Sequence, residues 1–259
     1  KELVAKRIYF ANKEEESIDA FEKIAKEGDV ALFIYEPLIQ GSAGMRIYSA
    51  ETLEKLLQIA KKYDILCIAD EVMTGFGRTG KTFASDYCQT KPDLVCISKA
   101  VTGTMPLGLT AISEKIVELF DNDDKSTAFY HGHSYTGNPL SCAVANASFK
   151  LFSSEICQQN IQRITNNHKK AILRLSKHDY IQKVKSLGTI LSLEVKTGET
   201  TSYFNNLRDW LYDEFLKEDI LLRPLGNIIY ILPPYIITNE ELERIYATIE
   251  KVLSKLNNA

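Results

Sequence analysis

A lysine and an aspartate, Lys99 and Asp70, carry the first chemical suggestion in this sequence. Lys99 follows an apolar run, Leu94-Val95-Cys96-Ile97, and one small residue, Ser98. Asp70 closes a similar run, Ile65-Leu66-Cys67-Ile68-Ala69. Short runs rich in β-branched residues are how the buried strands of a parallel sheet read, and such sheets bind ligands at the carboxyl ends of their strands. An amine and a carboxylate delivered side by side suit pyridoxal phosphate, which needs a lysine for covalent attachment and an acid against its pyridine nitrogen. The plainer reading, two strand-end charges that meet water, stands beside it at this level.

A second motif points elsewhere. Gly75-Phe76-Gly77-Arg78-Thr79-Gly80-Lys81-Thr82 matches the phosphate-loop pattern GxxxxGK[ST], and its first six residues match GxGxxG. Either match alone suggests a nucleotide site. Context argues against both. A phosphate loop leaves its strand directly, whereas Asp70-Glu71-Val72-Met73-Thr74 intervene here. Lys91-Pro92-Asp93 arrives too soon for the required helix, and the next strand ends in Ser98-Lys99 rather than in a magnesium-binding aspartate. The ribose-binding acid would have to be Asp93, which precedes a strand instead of ending one. A glycine-rich surface loop accounts for the stretch. His131 and His133 are two apart with no third ligand in view, so they read as loop histidines and no metal site is expected.

The elements that must position these residues alternate along the chain. Residues 17–28 read as a helix with Ile18, Phe21, Ile24 and Ala25 on one face, and 31–35 as a buried strand. Ser49 caps a helix whose stripe is Leu53, Leu56, Leu57 and Ala60. The strands ending at Asp70 and Lys99 follow, then a strand over 107–112 and a helix from the cap Ser113 through Phe120. Pro139 opens a helix that continues to Phe152. Beyond that the texture changes to a long polar helix over 155–176, an alternating strand over 188–195, a helix over 202–217, a strand over 228–232 stopped by Pro233-Pro234, and a last helix with a capping box from Thr238 to Glu241. The pattern divides at residue 152: an α/β layer in 1–152, part of a large cofactor-binding domain, and a smaller α+β domain in 153–259.

Composition bounds the partners. In 259 residues, 45% are hydrophobic and 25% charged, as in ordinary globular proteins. A net charge of -3 gives no basic excess for nucleic acid or an anionic membrane, and no apolar run approaches a membrane span. The cysteines at 67, 88, 96, 142 and 157 lack CxxC spacing and read as packing thiols of a reducing compartment. No signal peptide precedes the first helix. The expectation is a cytoplasmic protein.

The motifs taken together are more specific. Ile68-Ala69-Asp70-Glu71-Val72 followed by Gly75-Phe76-Gly77-Arg78-Thr79-Gly80 resembles the signature of the class III aminotransferases, the ω-aminotransferase group of fold type I pyridoxal phosphate enzymes. Ser98-Lys99-Ala100 falls where that family has its Schiff-base lysine. Glu36-Pro37-Leu38-Ile39-Gln40-Gly41 resembles its EPxxQG segment, and His131-Gly132-His133-Ser134-Tyr135-Thr136-Gly137-Asn138-Pro139 its HGxTxxGNP segment. These stand in family order.

The resemblance implies a fold and a set of roles. The fold is a mainly parallel central sheet flanked by helices, incomplete at its N-terminus, plus a smaller α+β C-terminal domain. Lys99 would carry the cofactor and shuttle the proton of the reacting carbon; Asp70 would hold a proton on the pyridine nitrogen. Val72 would pack against the ring. Ser134 stands where the family usually has threonine; its hydroxyl would bond the cofactor phosphate in the partner subunit, which makes the working unit a homodimer with shared active sites. Arg223 would take the substrate carboxylate between two hydrogen bonds. Glu36 would brace the site from behind the residues that touch the cofactor. The implied activity is amino-group transfer to a small-molecule acceptor. Arg223-Pro224-Leu225-Gly226-Asn227 leading to Tyr230-Ile231-Leu232-Pro233-Pro234-Tyr235-Ile236-Ile237 is closest to the family's biotin-pathway branch, whose acceptor is 8-amino-7-oxononanoate and whose usual donor is S-adenosylmethionine. Branches acting on ornithine, 4-aminobutyrate or diamines are the alternatives. The resemblance begins well inside the family pattern and the chain opens on Lys1, so the expectation is the C-terminal part of a longer enzyme, with an inactive remnant as the alternative.

Overall fold

The computed structural model describes residues 14–198, 201 and 205–258. The chain divides into two compact units that interleave along the sequence. The first is Lys1–Leu38, Tyr48–Met73 and Ser85–Ala145, and the second is Ile39–Ile47, Thr74–Ala84 and Asn146–Ala259.

In the first unit, α1 (Glu14–Ala25) buries Ser17, Phe21 and Ala25, a spacing of four that keeps one face of a helix inward. The next helix, α2 (Ala50–Lys62), starts at Ser49, whose side chain accepts from the Thr52 amide. Glu14 reaches back to the same cap and takes the Ser49 amide at 3.1 Å. Leu53, Leu56, Leu57 and Ala60 are buried, the stripe read from the sequence. The strands β1 (Leu32–Tyr35), β4 (Leu66–Asp70), β5 (Leu94–Ile97) and β6 (Leu109–Ile112) form one sheet in that order. β1–β4 and β4–β5 are parallel, with Tyr35 opposite Ala69 and Asp70 opposite Cys96, while β6 runs antiparallel to β5. The segment from Ser98 to Gly108 returns the chain beside β5, so that β6 pairs antiparallel with it.

Two expectations change in this unit. The run at 31–35 does form a strand, but β1 is an edge strand with Leu32 48% and Ile34 60% exposed, not a buried one. The helix from Ser113 shortens to α3 (Glu114–Val117), with single turns to Phe120, and Ser113 makes no capping bond. β6 is exposed at all of its positions. Farther on, α4 (Pro139–Phe152) begins with Asn138, whose side-chain oxygen accepts the Leu140 amide at 2.9 Å and acts as the cap behind Pro139.

The second unit holds a short hairpin, β2 (Ile39–Gln40) with β3 (Arg46–Ile47), and an antiparallel sheet of β7 (Ile181–Leu187), β8 (Ile190–Val195) and β9 (Ile228–Ile231). The alternation expected over 188–195 is absent: β8 is the middle strand and is buried throughout except at Glu194. Its core partners lie on α5 (Glu155–Leu175), α6 (Leu207–Lys217) and α7 (Asn239–Ser254), which bury Ile164, Leu175, Leu211, Phe215, Leu242 and Ile249 with Leu191, Leu193, Ile229 and Ile231. α7 carries the capping box from Thr238 to Glu241. The expected start of the helix over 202–217 falls partly on 202–204, outside the described residues.

The glycine-rich stretch at 75–80 is not a surface loop. Phe76 and Thr79 are buried, and the turn is packed into the second unit. Its backbone runs so close to the β7–β8 turn that a Cβ on Gly188 would lie 2.2 Å from the Thr79 carbonyl carbon. The Arg78 carbonyl accepts the Thr189 amide at 2.9 Å, its guanidinium donates to Pro233 O at 2.6 Å and lies over the Tyr235 ring, and the Tyr235 hydroxyl donates to Phe76 O. Only a 3-10 turn, Ala84–Tyr87, follows. A phosphate loop with its helix is therefore excluded on geometry as well as on context.

Candidate active site

Parallel pairing sets the carboxyl ends of β1, β4 and β5 along one edge of the sheet. Glu36 follows β1, Asp70 ends β4, and Lys99 lies three residues past Cys96, the partner of Asp70 on β5. Val72 comes two residues after Asp70. The sheet thus brings Glu36, Asp70, Val72 and Lys99 to one edge.

Lys99 is exposed, and its Nζ makes no hydrogen bond or ion pair among the described residues. Its backbone is left-handed, with φ +42°. That conformation costs a residue with a Cβ about 1–2 kcal/mol, and it persists where the surroundings determine it. The surroundings here are specific. Ser98 Oγ donates to Leu107 O at 2.7 Å, and Gly103 N donates to Lys99 O at 2.8 Å, so the lysine sits on a closed turn between two braces.

Asp70 is half-buried, and its Oδ1 accepts the Val72 amide at 3.1 Å. The bond fixes the carboxylate plane and leaves Oδ2 for another donor. Glu71 N donates to Cys96 O at 2.9 Å, extending the β4–β5 pairing one residue past the strand. Val72 is half-buried. Glu36 is also half-buried; its carbonyl accepts the Tyr48 hydroxyl at 2.7 Å.

Ser134 lies in the same unit, exposed, on a turn shaped by its neighbours. The Thr136 hydroxyl accepts the His133 amide at 2.9 Å, His133 Nδ1 accepts the Tyr135 amide at 3.1 Å, and Gly137 supplies a φ of +68°. Arg223 belongs to the second unit. It is exposed and has no ion pair among the described residues. Behind it the chain turns through Gly226 into β9, with Leu225 bridged to Ile228. Asn227, fully buried, donates to Val195 O at 2.8 Å and anchors that turn.

Beneath the strand ends lies a buried polar group that the sequence did not announce. Tyr35, Tyr48, Cys67, Cys88 and Glu71 are all buried. Among the described residues the Tyr35 hydroxyl has no hydrogen-bond partner, and burial pushes this phenol well above its usual range. Burial also pushes the Cys67 thiol up to about 12, which keeps it protonated and inert. An acid after a strand end reads as a solvent-facing charge, so Glu71 carried no signal of its own.

Residues 4–253 match the family model described as aminotransferase class-III. A relative from Synechococcus elongatus, named adenosylmethionine-8-amino-7-oxononanoate aminotransferase, is 38% identical over 245 residues, covering 94% of this chain and 57% of that protein. One of the same name from Helicobacter pylori is 36% identical over 252 residues, covering 93% and 56%. The crystal structure of the enzyme of that name from Methanocaldococcus jannaschii superposes with a TM-score of 0.85 at 31% identity, covering 96% of this chain and 59% of the other. The ω-transaminase from Pseudomonas jessenii in complex with PMP gives a TM-score of 0.84 at 25% identity, covering 96% and 58%. The chain thus spans a little over half the length of the relatives it matches.

Proposed function

The chain belongs to the class III aminotransferases, and on that premise we propose that the protein containing it transfers an amino group to 8-amino-7-oxononanoate, giving 7,8-diaminononanoate for biotin synthesis, with S-adenosylmethionine as donor. The observation that carries the reading is the β4–β5 register, which sets Asp70 and Lys99 at neighbouring strand ends. Class III aminotransferases use pyridoxal phosphate, and the residues at this edge fit it: a free amine on a braced turn, and a carboxylate with one oxygen fixed and one left over. Bound, the cofactor supplies an electron sink for the carbon that exchanges its amino group.

The protein's own residues do the rest. Lys99 Nζ would hold the cofactor and would serve as the base that removes and returns the proton of the reacting carbon. Asp70 Oδ2 would keep a proton on the ring nitrogen, and Val72 would pack against the ring. Glu36 braces the edge through the chain that Tyr48 holds. Ser134 offers its hydroxyl to the phosphate held by a second subunit, so the working unit is a homodimer with shared sites. The exposed turn that carries it, and the apolar side chains left open around it, such as Phe129, Tyr135 and Leu140, support such a cover. Arg223, on its anchored turn, takes the far carboxylate of the oxo acid; a rigid mount loses little freedom on binding. Five free cysteines suit a reducing, cytoplasmic compartment.

The test uses the full-length protein with pyridoxal phosphate, 8-amino-7-oxononanoate and S-adenosylmethionine. Diaminononanoate should form, and Arg223→Ala should raise KM for the oxo acid by about 30- to 1000-fold, the loss of a dehydrated pair, while the donor half-reaction changes little. Transfer to the partners of ornithine or 4-aminobutyrate, with none to the oxo acid, overturns the substrate assignment.

A further inference from the structure

The chain leaves β4 at Asp70, makes an excursion over 72–84, and returns at Ser85. One side chain closes the neck of that excursion. Glu71 is 1% exposed, and its Oε1 accepts both the amide and the hydroxyl of Ser85, each at 2.7 Å. Its own amide donates to Cys96 O at 2.9 Å, so Glu71 is held to β5 by its backbone and to Ser85 by its side chain. Ser85 is buried as well.

Placing a carboxylate here is unfavourable unless it does something a neutral residue cannot, because burial removes its hydration. Two short bonds converging on one carboxyl oxygen hold the Ser85 backbone and side chain together at this point. The hold is applied between Asp70 and Val72. Asp70 Oδ1 takes the Val72 amide, so any rotation of the peptide planes around Glu71 turns the Asp70 carboxylate with it. The 74–84 part of the excursion belongs to the other unit, so Glu71 and Ser85 bracket it on the side of the first unit.

We infer that Glu71 is a positioning residue of the proposed reaction: by clamping Ser85 it fixes the Asp70–Val72 backbone, and through it the orientation of the Asp70 carboxylate toward the cofactor ring nitrogen. The inference rests on the function proposed above. It assigns work to an acid that never touches cofactor or substrate.

The experiment compares Glu71→Ala, Glu71→Gln and Ser85→Ala in the full-length protein, loaded with pyridoxal phosphate. It reads four quantities: label on Lys99 after borohydride reduction, the absorption band of bound cofactor against pH, kcat and KM of the donor half-reaction, and the melting temperature. Glu71→Ala should keep the Lys99 label and KM within about threefold, yet lower kcat about 100-fold, the size expected from an ångström of misplacement. The pH dependence of the absorption band should move, since the ring proton is held less well. Ser85→Ala keeps the amide bond and should show a smaller change in the same direction. Where Glu71→Ala does not fold, Glu71→Gln decides, because it retains the shape without the charge. A lowered melting temperature with unaltered band and kcat in the loaded fraction makes Glu71 a structural clamp only and overturns the inference. Should the wild-type protein bind cofactor but transfer no amino group to the oxo acid, the proposed function fails, and the absorption band alone then decides on Glu71.

Discussion

The two larger sheets among the described residues are built from similar apolar sequence and end in opposite states. In the β7-β8-β9 sheet, Leu191, Leu193 and Ile229 are fully buried, and helices α5, α6 and α7 supply the other side of the core from the same unit. In the β1-β4-β5-β6 sheet, the edge strands keep Leu32, Ile34, Leu109 and Ile112 exposed. The closed sheet makes a self-sufficient core. The open sheet holds the proposed site residues at one edge and leaves apolar side chains on its edge strands exposed. Stability and activity are thus seated in different places, and substitutions should separate them.

The sharpest separation is expected at Lys99. Lys99→Ala in the full-length protein should lower amino transfer by a factor of about 1000 or more, the combined loss of attachment and proton transfer. Its effect on chemical unfolding should stay within about 1 kcal/mol, because the side chain is exposed and makes no bond. Lys99→Gly tests the strain directly. It relieves about 1–2 kcal/mol at the left-handed backbone and loses about 0.5–1 kcal/mol to chain entropy, so stability should hold or rise while activity is lost. A large fall in stability from either change would mean that the active edge supports the fold, and the contrast between the sheets would fail.

Leu193→Ala probes the closed sheet. The side chain is fully buried at the centre of β8. Removing it should destabilise this chain by about 2–5 kcal/mol in urea or guanidinium unfolding. The donor half-reaction of the folded fraction should keep its kcat.

The same contrast governs what could be read from the sequence. The strands ending at Asp70 and Lys99 were legible because apolar runs stop at charges there, and the caps at Ser49 and Thr238 were legible because the chemistry of a helix start is local. Strand β7 was not: Gln182, Lys183 and Lys185 interrupt its apolar pattern, and it is fixed by pairing with β8 instead. The β2–β3 hairpin escaped notice because the residues flanking its strands, Leu38 and Met45, take left-handed backbone without being glycine. Burial of the 75–80 turn and of Glu71 depends on residues far along the chain, Thr189, Pro233 and Tyr235 for the one and Ser85 for the other. The grouping of 39–47 and 74–84 with the C-terminal unit has the same origin, for contacts between distant segments leave no local pattern. Asp70 and Lys99 could be named as a pair from sequence, whereas the bonds that hold them could not.

A pH titration should locate part of the closed unit's stability. His168 is fully buried on α5; Nε2 is 3.1 Å from Thr189 O and Nδ1 is 2.7 Å from the Tyr246 hydroxyl. A carbonyl can only accept, so the proton sits on Nε2 and the tyrosine donates to Nδ1. Burial lowers the ring's pKa to about 4 from 6.5. Between those values the unfolded chain binds a proton that the folded one excludes, so stability falls as pH drops from about 6.5 to about 4 and levels off below. The expected loss is about 2 kcal/mol between pH 6.5 and 5. Urea unfolding of wild type and His168→Gln over that range checks it, and equal slopes for the two would show that His168 does not carry the dependence.

The smallest expected effect sharpens the contrast from the open side. Ile34 lies on the edge strand β1 with most of its side chain in water. In this 259-residue chain Ile34→Thr should change unfolding free energy by no more than about 0.5 kcal/mol, because there is little buried area to lose. In the full-length protein we expect β1 to be covered. There the side chain would withdraw on the order of 80 Å² more from water, and the same substitution should cost about 2 kcal/mol. The quantity to measure is therefore the difference between two differences: wild type against Ile34→Thr, in the chain and in the full-length protein. A penalty that appears only in the longer protein makes the open face a surface awaiting its cover. A penalty of the same size in both would mean that Ile34 already stabilises the sheet alone. The open and closed sheets would then differ in exposure but not in how their stability is supplied.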